Sequence, residues 1–411
     1  MLALEVHAFR RVLRSLDLVK LFAVLLHPRV GSLDLLDRTR GAQSYHRWIP
    51  GFRRLIDAPP AAVLPPQNRL NQIGPVGQAV SVADHLRASA ELIHALGCGP
   101  AWNSNAASGI AGVLQAASLV ATGLASTVLL ADGGAGLYTE RAATAPWTRP
   151  ANEFVVPFGL YTAAEFALIA RRHMDLYGTT PEQLAEVAAT IRNNGHVNPE
   201  AVYHGRGPYT PADVLASRMI ADPFHLLDCA MTAEGGCALL ITTAERAADL
   251  PGTPVHILGG GLDTLGPAYR HAPIWDETGH VGRLVARRSF AMAGLSPEDV
   301  DVCELYDPFS FEIIRQFEAF GFCGEREGGD FVMDGRIGPG GRYPITTDGG
   351  LMSYSHGGGI VQLLQRVARG VHQLQKRCPT RQVPDARVAL CSNGGAGALF
   401  TDVILLGSER P

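Results

Sequence analysis

Four short stretches carry polar side chains beside glycines or other small residues, each next to an apolar run. They are AASG at 106–109, ELYDPF at 304–309, DGGLMSYSHGGG at 348–359 and CSNGG at 391–395. Loops at strand ends are where α/β proteins place their chemistry. AASG has the form of a strand-to-helix elbow, with Ser108 and Gly109 opening an Ala-rich helix that is uncharged for two turns. Enzymes hold nucleophiles at such elbows because the helix N-terminus offers unpaired N–H groups and positive potential. Here the nucleophile position holds Ala106.

The other three stretches offer groups for proton transfer and a thiol. His356 is followed by glycines at 357–359, which let a ligand approach the backbone. Tyr306 fits a core Tyr with its hydroxyl satisfied, and Tyr354 a pocket wall. Asp307 before Pro308 fits a turn residue, and Cys391 fits a small buried hydrophobe. GGGLDT at 259–264 resembles a phosphate loop but lacks GxGxxG spacing, so a plain β-turn is the expectation.

These stretches need elements to position them. Apolar spacing predicts helices over 110–121, 161–176, 309–320 and IVQLLQRVARGVHQLQ, and one ending at Gly97. Thr180, Pro181 and Gln183 spell a capped helix start. Strand-length apolar runs occur at 127–131, 237–243, 254–259, VDVCEL, VALCSNGG and ALFTDVILLG. Gly341 to Gly359 reads as one long loop. The N-terminal stretch with LFAVLL reads as a packed amphipathic helix, and IDAPPAAVLPPQNRL as an irregular connection. Helices alternating with buried strands indicate an α/β fold with covered sheets.

The whole chain narrows the classes. Its 411 residues require more than one packed unit. A net charge of −4 does not supply the basic surface that nucleic-acid binding needs. Seven cysteines without a CxxC pair argue against a disulfide framework or zinc site and favour a reducing cytoplasm. Val113 to Ala131 is uncharged but holds Gln115 and Gly123, so it reads as a buried helix and strand, not a membrane span.

The order of the four stretches resembles the thiolase superfamily, in particular the sterol-carrier-protein-x thiolases and thiolase-like lipid-transfer proteins. AASG stands where that family has Cys-x-Ser-Gly, with Ala106 at the nucleophile. YDPF stands for the Asn-Glu-Ala-Phe or His-Asp-Cys-Phe segment. GGLMSYSHG stands for Gly-Gly…Gly-His-Pro, with His356 at the catalytic His and Gly357 in place of Pro. CSNGG stands for Cys-x-Gly-Gly-Gly, with Cys391 at the second Cys. The resemblance covers roughly residues 85 to 411.

It implies a duplicated, layered αβαβα fold with an inserted loop domain. The N-terminal half would be 1–134 plus 226–250, the insertion 135–225, and the C-terminal half 251–411. It implies substrate contacts at Ser108, Gly350, Ser353, Gly357 and Gly394, a homodimer, and no metal or cofactor beyond a CoA thioester. Thiolysis needs a thiolate, which Ala106 cannot supply. The chain resembles a subgroup without the nucleophile, the steroid side-chain aldolases, which carry a Tyr at the places of Tyr306 and Tyr354. That implies retro-aldol cleavage of a bulky β-hydroxyacyl-CoA. One tyrosine would take the hydroxyl proton and His356 would donate to the enolate oxygen, with Asp307 and Cys391 in lesser roles. Which tyrosine is the base stays open. The subgroup also implies a small OB-fold, zinc-ribbon companion chain in a heterotetramer. Two other functions fit the same residues: a non-catalytic acyl-CoA or lipid-binding subunit, and an acyltransferase using Cys391.

Overall fold

The computed structural model describes residues 23–25, 73–74, 109–134, 162–231, 233, 235–250, 252–264, 279–356, 361–395 and 400–409. The expected helix ending at Gly97, the Pro-rich connection, and Ala106, Ser108 and Gly357 lie outside them. In chain order the elements are β1 (Ala23–Leu25), β2 (Ile73–Gly74), α1 (Gly109–Ala121), β3 (Thr127–Gly134), α2 (Thr162–Tyr177), α3 (Pro181–Val197), α4 (Pro211–Ala216), β4 (Met219–Ala221), β5 (Phe224–His225) and β6 (Gly235–Thr242). Then come α5 (Ala244–Ala248), β7 (His256–Thr264), α6 (Arg283–Ala293), β8 (Val302–Glu304), α7 (Ser310–Phe320), α8 (Gly328–Phe331), α9 (Val361–Leu374), β9 (Val388–Gly395) and β10 (Phe400–Gly407).

The chain forms two compact units. The first takes 1–135, 234–254 and 357–368, and the second takes 136–233, 255–356 and 369–411. In the first unit the sheet order is β1-β6-β3-β2. β3 and β6 pair antiparallel from Thr127↔Thr242 to Gly134↔Gly235. Helix α1 packs on both strands. It buries Ile110, Ala111, Gly112, Val113 and Ala116, so small residues let it lie close to the sheet. Ala23–Leu25, expected as part of a helix, instead pairs antiparallel with β6 from Ala23↔Leu239 to Leu25↔Cys237. A short apolar run is ambiguous between helix and strand, and an available sheet edge decides it.

In the second unit the sheet order is β7-β10-β9-β8. β8 runs parallel to β9, from Val302↔Ala389 to Glu304↔Cys391. β9 and β10 are antiparallel from Val388↔Gly407 to Gly395↔Phe400. β9 thus spans the whole VALCSNGG run, with Gly394 and Gly395 as its last residues. GGGLDT is also strand, within β7, and not the expected turn. Helix α6 presses on it so closely that a Cβ on Gly259 would lie 2.4 Å from the Ser289 carbonyl oxygen, and one on Gly261 2.7 Å from Val285. These glycines make room for a helix, not for a phosphate.

Helix α3 begins as its sequence predicts. Gln183 N–H donates to Thr180 Oγ1 at 3.4 Å, and the Thr180 N–H donates to Gln183 Oε1 at 3.0 Å. Phe309 stacks on Phe224 and packs tilted against Phe166, and Phe311, Phe317, Leu390, Val403 and Leu405 extend the same core. This core covers one face of the β7–β10 sheet and fixes where α7 and the end of β8 stand. Among the described residues, no helix is long and apolar enough to cross a membrane.

Candidate active site

Strand β8 delivers Tyr306 and Asp307. It is three residues long and fully buried, and its parallel pairing with β9 aims the chain into the segment 305–309. The Tyr306 N–H donates to Ser392 Oγ at 3.1 Å, and its carbonyl accepts from Gln316 Nε2 at 2.7 Å. Ser392 Oγ in turn donates to Gln316 Oε1 at 2.5 Å. Side chains from β9 and α7 thus hold both main-chain groups of Tyr306. Its ring lies over Gly394, where a Cβ would come within 3.1 Å of Cδ1. Gly394 leaves space for the ring, so its lack of a side chain serves Tyr306 directly.

Asp307 is buried, and its carboxylate reaches a second segment. Oδ1 accepts the Leu351 N–H at 3.0 Å and Oδ2 accepts the Met352 N–H at 3.2 Å. Gly350–Tyr354, expected as open loop, form a π-helical turn. The Ser355 N–H closes it on the Gly350 carbonyl at 3.1 Å. Such wide turns are rare and gather at functional sites. Gly349 and Gly350 enter it at φ +105° and +61°. A Cβ on Gly350 would stand 2.0 Å from Asp307 Oδ2, so only glycine lets the carboxylate approach.

The turn is held on other sides as well. The carbonyls of Leu351, Ser353, Tyr354 and His356 accept N–H bonds from Met231, Tyr203, Val202 and Ala233, at 2.9–3.3 Å. Tyr354 and Ser353 are buried and His356 is half-buried. The Ser353 hydroxyl is buried with no hydrogen-bond partner among the described residues. An unsatisfied polar group in a packed site is a place where a ligand group can bond.

Upstream, Glu304 fixes the approach to the turn. Its carboxylate accepts the Thr347 N–H at 3.1 Å and the Thr347 hydroxyl at 2.5 Å. Arg369 Nε donates to that same hydroxyl at 2.7 Å.

The structure thus joins the Tyr306–Asp307 segment to the Tyr354–His356 segment through one carboxylate. Cys391 is not part of that face. It is buried in β9 with Sγ beneath α9, where a Cβ on Gly370 would lie 2.6 Å from it. Residues 392 and 394, which meet Tyr306, point to the opposite side of the strand, as alternation requires. Three other thiols are no better placed as nucleophiles. Burial pushes Cys229, Cys323 and Cys378 up to about 12, so they are protonated at neutral pH.

The sequence alone did not single out Gly195, Asn194 or Asn198, at the end of α3. Asn194 Nδ2 donates to the Ile345 carbonyl at 3.0 Å, and Asn198 Nδ2 to the Asp348 carbonyl at 3.0 Å. A Cβ on Gly195 would lie 2.3 Å from Ser353 Cβ. The available signal was a glycine inside a well-capped helix, where it costs about 1 kcal/mol relative to Ala and so marks a close approach.

Residues 275–408 match the Thiolase C-terminal domain-like family. A steroid side-chain-cleaving aldolase of Thermomonospora curvata is 34% identical over 320 residues, which cover 72% of this chain and 77% of that one. The 17-hydroxy-3-oxo-4-pregnene-20-carboxyl-CoA lyase of Mycobacterium tuberculosis is 38% identical over 278 residues, 64% of this chain and 70% of that one. The solved Ltp2-ChsH2(DUF35) aldolase superposes with a TM-score of 0.69 at 29% identity, covering 82% of this chain and 87% of that one. A thiolase-like α/β fold, two tyrosine-bearing segments joined at Asp307, and these relatives agree: the chain belongs to the thiolase-like steroid side-chain-cleaving aldolases and is a carbon–carbon lyase.

Proposed function

We propose that this aldolase cleaves a bulky β-hydroxyacyl-CoA thioester, a steroid side chain among the candidates, to a ketone or aldehyde and a short acyl-CoA. In the substrate named for the Mycobacterium tuberculosis relative, a hydroxyl on C17 stands β to a thioester carried on C20. That is the arrangement retro-aldol chemistry requires. A base takes the β-hydroxyl proton, the oxygen forms a carbonyl, and the Cα–Cβ bond electrons pass to a thioester enolate. Protonation of that enolate at Cα releases the short acyl-CoA. No covalent enzyme intermediate is needed, which accords with Ala106.

Tyr306 or Tyr354 takes the hydroxyl proton and the other positions or relays. His356 donates to the enolate oxygen. A phenol acts as a base when a neighbouring cation or hydrogen bonds favour its ionised form, and His356, two residues from Tyr354, is assigned that part too. Ser353 and Gly394 line the acyl group in this reading, with Ser108, Gly350 and Gly357. The observation that carries the proposal is the Asp307 carboxylate, which ties the Tyr306 segment to the turn ending in Tyr354. The burial of Cys391 under α9 favours it over acyl transfer through that thiol.

The proposal includes two thiolase-like halves with an inserted segment, a homodimer in the cytoplasm, and no cofactor beyond the substrate thioester. It also includes a small OB-fold, zinc-ribbon companion chain that completes the acyl-CoA site in a heterotetramer. The similar Ltp2-ChsH2(DUF35) aldolase, named for two components, supports the companion.

The test is turnover of β-hydroxyacyl-CoA thioesters with and without such a companion, read by mass spectrometry. Carbonyl product and short acyl-CoA should appear without added free CoA. Replacing Tyr306 or Tyr354 by Phe should lower kcat about 10²–10⁴-fold. Full activity in both variants, or cleavage only of β-ketoacyl-CoA with free CoA present, would overturn the proposal.

A further inference from the structure

Helix α3 supplies a buried guanidinium, Arg192, whose hydrogen bonds among the described residues all go to main-chain oxygens. Arg192 Nε donates to the Leu227 carbonyl at 3.1 Å, and its terminal nitrogens donate to those of Cys229 at 2.7 Å and Leu226 at 3.5 Å. A terminal nitrogen also donates to the carbonyl of Met352, inside the π turn. The guanidinium carbon lies 4.4 Å from the centre of the Tyr203 ring, and the Tyr203 N–H bonds the Ser353 carbonyl at 3.1 Å.

This is an unusual use of a buried cation. Desolvation lowers its pKa, and Tyr203, Cys229, Tyr209 and Asp307 act against that. A buried charge is expensive unless every donor is used, and here the donors span two segments. One segment is 226–229, which leads to the Phe309 contact through the Cys229 bridge. The other is the turn. Asp307 takes the turn's N–H groups at Leu351 and Met352, while Arg192 takes the Met352 carbonyl. The Met352 peptide groups are therefore fixed from both sides by opposite charges. Gly195, one helical turn further along α3, presses on the next residue, Ser353. The sequence between 192 and 198, RNNGHVN, thus contacts the 345–353 stretch through Arg192, Asn194, Gly195 and Asn198.

We propose that Arg192 is a positioning residue for the aldolase reaction, setting through the Met352 carbonyl the π turn that presents Tyr354 and His356. The inference rests on the proposed role of that turn in catalysis. Lysine cannot replace it, because one ammonium lacks the planar fork that reaches carbonyls on two segments at once.

Four variants of the full chain, assayed with its companion where required, test this: Arg192→Lys, Arg192→Gln, Gly195→Ala and Leu184→Ala. Leu184 is buried in the first turns of α3, about 12 Å along the helix from Arg192, so its loss is expected to lower stability alone. Steady-state kinetics are measured well below each unfolding midpoint, with amide hydrogen exchange over 349–355. Arg192→Lys should lose about 100-fold in kcat with KM changed less than threefold, and should lose protection at Leu351 and Met352. Gly195→Ala, which pushes on Ser353 directly, should show the same pattern and tests the turn itself. Arg192→Gln, which keeps a single planar donor group, should repeat the Arg192→Lys losses and decides the matter if Arg192→Lys does not fold. Leu184→Ala should keep both kcat and protection. Unchanged protection and kcat in the Arg192 and Gly195 variants overturn the proposal, even where Tyr354→Phe is inactive. Lost protection with kcat retained instead removes the turn from catalysis, and with it the assigned role of Tyr354. A kcat loss in Leu184→Ala equal to the others would reduce the effect to general destabilisation and overturn the proposal.

Discussion

Replacing Asp307 should damage both stability and turnover. The carboxylate is buried and accepts two main-chain N–H bonds, from Leu351 at 3.0 Å and Met352 at 3.2 Å. A hydrogen bond to a charged group contributes about 1.5–3 kcal/mol, so the pair is worth about 3–6 kcal/mol. Asp307→Ala removes both and leaves two buried donors unpaired. Asp307→Asn keeps the shape and one acceptor but turns an amide donor toward the other N–H, so its cost should be about half. For a unit of this size each kcal/mol moves the midpoint by roughly 2–4 °C. Thermal unfolding should therefore fall by roughly 10 °C or more in Asp307→Ala and by roughly 5 °C in Asp307→Asn. The unpaired turn should also drift, and a shift of about 1 Å at a reacting group costs about 100-fold in rate. The assay is circular dichroism melting beside kcat at 25 °C. If Asp307→Asn melted within 1 °C of the parent and kept its kcat within twofold, the carboxylate would not be holding the turn.

Two further expectations concern the thiols. Cys391 is buried beneath Gly370, so it should resist iodoacetamide in the folded protein, and Cys391→Ala should keep at least about a third of the parent kcat; rapid labelling with loss of activity would return it to the catalytic set. Cys229, Cys323 and Cys378 are pushed up to about 12 by burial, above the ordinary thiol value near 8.5 that they recover on unfolding. The unfolded chain thus releases these protons first, and stability should fall from about pH 9 upward, by about 1.4 kcal/mol per pH unit for each thiol. Urea midpoints at pH 8, 9 and 10 measure this, and the slope should shrink in a Cys229→Ser, Cys378→Ser double variant; an equal slope in both proteins would count against the assignment.

Much of the secondary structure was legible because its signals are local. Helix α1, the capping box at Thr180 and strands β3, β9 and β10 stand where periodicity and cap residues put them. The misses share a cause. Ala23–Leu25 took strand form on pairing with β6, and GGGLDT took it on pairing with β10. In each case the deciding contact lies far off in the chain, where no local pattern records it.

The candidate site divides the same way. Residue types and motif order alone nominated Tyr306, Tyr354 and His356 as candidates for proton transfer, and showed that Ala106 carries no group to attack a thioester. Chemistry resides in the side chain, so it is written in the sequence. Only the tertiary structure decided that Asp307 binds the π turn, that Cys391 faces α9, and that the end of α3 reaches the 345–353 segment. Those facts depend on which way a peptide group points and which strand face a residue occupies. A shift of one residue would reverse either, and packing is what holds them.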